Sequence, residues 1–368
     1  MLSVFCSPSR YTQGKNATAM LGAEMAGLGL SGPALIVGSR SPIRVLSDTW
    51  KQTFAEAGIS YAVHEFGGEC SLAEIERIKQ AAKQHKSQVV VGAGGGKVLD
   101  AARAVAADLN LPIVNCPTVA SSDSPCSALS VIYSDDGVVQ GSRFHRKNAD
   151  LVLVDTHVIA QSPPRLLVAG MGDALATWFE AKTCVDGGVK NLRGGLSTQS
   201  ALALAKLCYR TLLADGADAL RSVQTQVVTP ALERLVEANT LLSGIGFESS
   251  GLAAAHAIHN GLTTVAATHA YLHGEKVAFG LLAQLVLEGQ PRSVLRRVLG
   301  FTTEVGLPIT LTDIGLTDLS KDDLRKIAVR ATAENDTIHN EPFEVRPDMV
   351  ADAIMAADAM GRAWRELP

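Results

Sequence analysis

The chain has 368 residues, 47% hydrophobic and 19% charged, so it can bury a large core and is not expected to be disordered. That length suits two domains. A formal net charge of -4 with no dense Lys/Arg stripe, and only 5% aromatics, exclude the usual footprint of a nucleic-acid-binding protein.

Strand-like and helix-like segments alternate through the first 160 residues. Pro33–Gly38 is a short apolar run ending in glycine, Thr49–Gly58 a helical stretch, and Tyr61–Phe66 a second strand. Ser71–His85 carries Leu72, Ile75, Ile78 and Ala82 at the helical period, and Ser71 three residues before Glu74 is a capping-box signature. A strand at 88–92, a helix over Lys97–Leu109 and a strand over Leu111–Asn115 follow. The sequence then predicts a hairpin, Ala128–Tyr133 and Val138–Arg143 joined by Ser134–Gly137, and a last strand at Leu151–Asp155. Strands and helices alternating at these lengths imply βαβ units and a parallel sheet. After Ser162-Pro163-Pro164 alanine and leucine dominate and helical periods run nearly to Pro368, so an α/β domain is expected over 1–162 and an all-helical one over 163–368. There is no internal repeat and no low-complexity segment.

The first residues lack a basic region followed by an apolar one, and no run approaches the roughly 18 apolar residues of a membrane span, so neither export nor a membrane is expected. Six scattered cysteines (6, 70, 116, 126, 184 and 208) without a Cys-x-x-Cys pair read as reduced thiols in a cytoplasmic protein.

Two constellations carry chemistry. Val89-Val90-Val91-Gly92-Ala93-Gly94-Gly95-Gly96-Lys97 is a buried strand breaking into glycines before a helix. Glycines there let a ligand approach the backbone, and helix N-terminal amides favour a phosphate. The spacing fits neither G-x-G-x-x-G nor the P-loop, and a tight turn without ligand is the alternative. The second set is Asp173, His256 and His273, a carboxylate and two imidazoles on separate helical segments, which suit a divalent metal with an open coordination position. Each has a plainer reading: Asp173 as a helix cap, His256 as a core histidine with His259 as the ligand instead, His273 as a helix opener.

The segments Gly94 to Ala106, Cys116 to Tyr133, Gly172 to Ala181 and Gly251 to Thr263 closely resemble the bacterial glycerol dehydrogenases, in the polyol branch of the iron-containing alcohol dehydrogenase superfamily. The likeness runs from Ser7-Pro8 to Asn340, nearly the whole chain. It implies the iron-containing alcohol dehydrogenase (dehydroquinate synthase-like) fold: an N-terminal nucleotide-binding α/β domain, an all-helical C-terminal domain, and a Zn2+ site in the cleft between them. It further implies that Asp173, His256 and His273 hold the metal. Gly94, Gly95, Gly96, Lys97 and Asp100 would meet the pyrophosphate and nearby groups of NAD. Thr118, Ser121, Ser127, Leu129 and Tyr133 would line its adenine and nicotinamide ends, and Asp123 would bind a substrate hydroxyl or else serve an Asx turn. The implied activity is oxidation of glycerol or a similar small vicinal diol by a cytoplasmic homo-oligomer, an octamer or a smaller even-numbered assembly. The proton would leave through water or the ribose, with His269 a weaker candidate base.

Two places depart from the family. Its first strand ends in Gly-Asp-Lys or similar, whereas this one ends Val37-Gly38-Ser39-Arg40. A missing acid at Ser39 removes a repulsion against the 2′-phosphate, and Arg40 could receive it, so NADP use is expected beside NAD. Phe144-His145-Arg146-Lys147-Asn148-Ala149 is unusually basic: a solvated loop, or a substrate mouth favouring an acid. An NADP-linked reductase of a small 2-oxo acid or ketone is therefore the alternative. A dehydroquinate-synthase-like lyase is a remote one, because the cluster of cations for a phosphorylated substrate is missing.

Overall fold

The structure, a computed structural model, describes residues 1–367. Its strands are β1 (Tyr11–Gly14), β2 (Ala34–Gly38), β3 (Tyr61–Glu65), β4 (Val89–Gly94), β5 (Ile113–Pro117), β6 (Leu129–Tyr133), β7 (Val139–Phe144) and β8 (Leu151–Asp155). Six of them form one parallel sheet in the order β1-β8-β5-β4-β2-β3, and β6 and β7 form the antiparallel hairpin. Every residue of β2, β4, β5 and β8 is buried, as continuous Val/Ile/Leu runs require in a sheet covered on both faces. The flanking β1 and β3 are only partly buried.

The register lines up the carboxyl ends of the strands. Gly38 pairs with Ala93 and Gly94 with Pro117, so Ser39, the turn at Gly95 and Thr118 leave one edge of the sheet side by side. Ligands of open parallel sheets bind at that edge.

Three local findings differ from the sequence expectation. The helix after β2 starts at Arg40, not Thr49, with Ser39 at its cap position. Pro42 is tolerated because it falls in the first turn. Pro42, Leu46, Trp50 and Phe54 then make a buried stripe at four-residue spacing, hidden in sequence among polar neighbours. The capping box at Ser71 is half formed. Ser71 Oγ accepts from Glu74 N at 3.2 Å, while the Glu74 carboxylate turns to Gly67 N and Arg77. Strand β1 was not expected at all: Tyr11–Gly14 is polar, and its pairing with β8 lies 141 residues away (Tyr11 to Val152).

The chain forms two compact units. One comprises Ser7–Pro163 with Ser222–Gly244; the other comprises Met1–Cys6, Pro164–Arg221 and the chain from Ile245 on. The division expected at residue 162 follows secondary-structure type, but helical periodicity does not say which unit a helix joins. Glu233 supplies the reason for the first exception. It accepts from Gln13 Nε2 at 2.8 Å and from Thr156 Oγ1 at 2.7 Å, beside β1 and β8. For the second, Cys6 N donates to Ser249 Oγ at 3.0 Å and Asn191 Nδ2 to Val4 O at 2.8 Å.

The helical unit is built on two helices, Pro164–Asp186 and His273–Leu287, in backbone contact. A Cβ on Gly172 would lie 2.3 Å from Gly274 O, and one on Gly274 would lie 1.8 Å from Ala169 O. Only glycine permits that crossing, and it carries Asp173 and His273 to the same place. Among the described residues no helix is long and apolar enough to cross a membrane.

Candidate active site

Asp173 sits in the middle of the helix Pro164–Asp186 and is wholly buried, so it does not cap a helix. Its Oδ1 lies 3.1 Å from His273 Nε2 and 3.4 Å from His256 Nε2. The three donor atoms fall within 4.8 Å of one another. His273 is the first residue of its helix and keeps 41% of its side-chain surface, which opens the group on one side. One carboxylate oxygen and two imidazole nitrogens meeting at a partly open point fit a divalent metal with a remaining coordination position.

Sequence reasoning missed what stands behind these side chains. Glu180, buried and two turns after Asp173 on the same helix, puts Oε2 2.6 Å from His256 Nδ1. Its Oε1 accepts from Ala253 N at 2.8 Å and His256 N at 3.0 Å, capping the helix Ala254–Leu262, whose own cap residue is an alanine. The seven-residue spacing from Asp173 to Glu180 was the available signal, since it marks one face of a helix. His259, the alternative ligand, lies in the layer behind, with Nε2 3.0 Å from His273 Nδ1. His269 is exposed and bonded to Thr263 O at 2.9 Å, and no contact joins it to the cluster.

The electrostatics follow from burial and pairing. Burial alone would raise the Asp173 pKa, but His273 and His256 outweigh it and hold the carboxylate well below its usual range. Burial would lower His256, yet Glu180 and Asp173 raise it well above the ordinary histidine value. His259 is driven well below it by burial first, then by His273, Lys276 and His256.

In the α/β unit, the three glycines divide by cause. A Cβ on Gly94 would lie 2.7 Å from Val98 Cγ2, so packing accounts for that residue. A Cβ on Gly95 would meet only Val119 Cγ2 at 3.4 Å, one on Gly96 would meet Ser122 Oγ at 3.4 Å and Ser124 Cβ at 3.7 Å, all ordinary contacts, and neither glycine has positive φ. Neither a severe clash nor a positive φ demands those two glycines, and their bare Cα atoms leave the backbone there open to close approach.

The other nucleotide candidates already have partners in the structure. Lys97 Nζ bonds Glu69 Oε1 at 2.6 Å and lies 4.7 Å from the Tyr133 ring centre. Asp100 is buried, accepting from Arg103 Nη1 and Ser124 Oγ at 2.8 Å each and from Val131 N at 3.0 Å. Arg103 in turn holds Leu129 O and Ser124 O, so the serine-rich loop and hairpin are stapled to the helix Gly96–Leu109. Thr118 N donates to Gly94 O at 3.1 Å, Ser127 is fully buried with Oγ on Ser124 O, and Ser121 stays partly exposed. Asp123, buried, accepts from Ser243 Oγ at 3.0 Å, a partner 120 residues away that no local motif could suggest. Arg40 is paired with an acid at the end of β3. Its Nε bonds Glu65 Oε1 at 2.9 Å, with 89% of the arginine side chain exposed.

In comparison with known proteins, the family described as "Iron-containing alcohol dehydrogenase" matches residues 8–156. The chain is 50% identical over 367 residues to the glycerol dehydrogenase of Thermotoga maritima, covering all of both chains. It is 48% identical over 364 residues to that of Citrobacter freundii, covering 99% of each. The crystal structure of glycerol dehydrogenase from Schizosaccharomyces pombe superposes with a TM-score of 0.96 at 36% identity, covering 99% of this chain and 92% of that one.

Proposed function

The chain is an oxidoreductase of the iron-containing alcohol dehydrogenase family, and we propose that it oxidises glycerol or a similar small vicinal diol to the hydroxyketone, with hydride passing to NAD. The observation that carries this reading is the convergence of Asp173 Oδ1, His256 Nε2 and His273 Nε2 at one partly open point. Those three residues would hold a zinc ion, which when bound supplies Lewis-acid polarisation of a substrate hydroxyl. Buried Asp173 brings the negative charge, and Glu180 keeps the His256 ring turned so that Nε2 faces inward.

NAD supplies the hydride acceptor, and the turn Gly95-Gly96 with the amides opening the next helix would receive its pyrophosphate. Thr118, Ser121, Ser127, Leu129 and Tyr133 are the proposed walls of the nucleotide site; Lys97 and Asp100, engaged with Glu69 and Arg103, would shape it from behind. Because Glu65 holds Arg40, the case for NADP rests on Ser39 alone, and NAD is the preferred cofactor. Gly95→Ala is expected to raise KM for NAD about tenfold or more while moving the unfolding midpoint little, since its Cβ meets only Val119 at 3.4 Å. Saturation curves and denaturant titrations check both halves.

Asp123 would orient the second hydroxyl of a diol. Asp123→Ala should therefore cost diols roughly tenfold more in kcat/KM than simple secondary alcohols, and equal losses on both would show that it only anchors Ser243. The overall reading is tested by initial rates on glycerol, 1,2-propanediol, 2,3-butanediol and 2-hydroxy acids with NAD and NADP, alongside metal analysis. Best turnover on 2-hydroxy acids, or full turnover without metal, would overturn it. We also propose a homo-oligomer, to be checked by light scattering at micromolar concentration.

A further inference from the structure

We infer that a directional hydrogen-bond chain, Asp336–Asn260–His259–His273, dictates which nitrogen His273 offers to a metal, and that His259 is thereby a positioning residue. The inference rests on the metal reading above and adds residues to it.

The direction starts at a group that cannot donate. Both oxygens of Asp336 lie 3.2 Å from Asn260 Nδ2, and Asp336 is fixed by Arg330 at 2.5 Å and by Thr337 N at 2.8 Å. The Asn260 amide must therefore aim its NH2 at Asp336, which leaves its carbonyl on the other side. That carbonyl, Oδ1, lies 3.2 Å from His259 Nδ1, and a carbonyl only accepts, so the His259 proton belongs on Nδ1. His259 Nε2 is then a bare lone pair. It lies 3.0 Å from His273 Nδ1, which must supply the proton of that bond. The lone pair His273 can give to a metal is consequently on Nε2, the nitrogen 3.1 Å from Asp173 Oδ1.

The two histidines are thus oriented by different means. His256 leans on a carboxylate, Glu180 at 2.6 Å. His273 leans on a second imidazole, itself oriented by an amide and only then by a carboxylate. The neutral links pass on geometry without placing a second full negative charge beside the ligand. They also tie the helix Ala254–Leu262 to the turn Thr337–Asn340, across the 76 residues from Asn260 to Asp336.

Two measurements on the intact 368-residue chain test this. Solid-state 15N NMR of histidine-labelled, metal-free protein, assigned with His259→Leu and His273→Ala, should show His259 protonated at Nδ1 and bare at Nε2. Zinc affinity by chelator competition should fall roughly 10- to 100-fold in His259→Leu. It should recover in large part in His259→Gln, whose carbonyl can accept from His273 Nδ1, and Asn260→Leu should weaken zinc in the same direction. A His259 proton on Nε2, or His259→Leu binding zinc within twofold of wild type, overturns the inference. Wild-type protein with the expected proton pattern but no affinity for zinc overturns the metal assignment instead, and leaves the direction of the chain standing.

Discussion

His256→Ala is expected to give a folded protein without bound zinc, with kcat/KM on glycerol reduced at least a thousandfold, about 4 kcal/mol. The loss follows from the donor count. Three atoms within 4.8 Å make the proposed site, and a residual pair of Asp173 and His273 cannot fix coordination geometry. The fold should survive because Glu180, deprived of the imidazole, retains the amides of Ala253 and residue 256. Metal analysis and steady-state rates on the same preparation check both parts. Undiminished turnover by protein shown to be metal-free would end the Lewis-acid account.

Gly274→Ala should do damage of another kind. The new methyl would sit 1.8 Å from Ala169 O and 2.7 Å from its carbonyl carbon, both backbone atoms that cannot swing aside. The helices Pro164–Asp186 and His273–Leu287 must part, at a cost of about 1–3 kcal/mol or more. Since Asp173 and His273 ride on either side of that crossing, zinc affinity should fall with stability. Gly300→Ala is the control: it lies in the helix Arg292–Val305 with nothing nearer than Trp364 Cζ2 at 4.0 Å. There alanine should leave the unfolding free energy unchanged or raise it, by about 0.5–1 kcal/mol. Equal behaviour of the two variants in a denaturant titration would refute the close-approach argument.

How legible all this was in the sequence depended on the range of the interaction. Apolar runs such as Val89-Val90-Val91 announced the central strands, because burial on both faces writes itself into consecutive residues. Strand β1 was invisible because its four polar residues are ordered by β8, not by any pattern of their own. The proposed metal ligands were legible as residue types, and the structure places the three side chains within reach of one another. Their supports were not: Glu180 needed the helix face to be known, and the Asn260–Asp336 contact spans 76 residues. For the same reason Arg40 read as an available cation until Glu65 was found beside it. The glycine run looked uniform in sequence, yet Gly94 answers to Val98 while Gly95 and Gly96 have no such neighbour.

The interleaving of the two units sets the order in which a nascent chain can finish folding. When Tyr11–Gly14 leaves the ribosome its partner β8 has still to be synthesised, and Glu233, which engages Gln13 and Thr156, comes later still. Val4 and Cys6 wait for Asn191 and Ser249, the latter 243 residues downstream of Cys6. Neither unit can therefore close vectorially behind the moving terminus. All six strands of the sheet lie within residues 11–155, so they can pair while the segment Ser222–Gly244 that completes their unit is still to be made, and until then the unit stays open to association between chains. Yield in the cell should accordingly respond to chaperone supply and translation speed more than the stability of the finished fold would suggest.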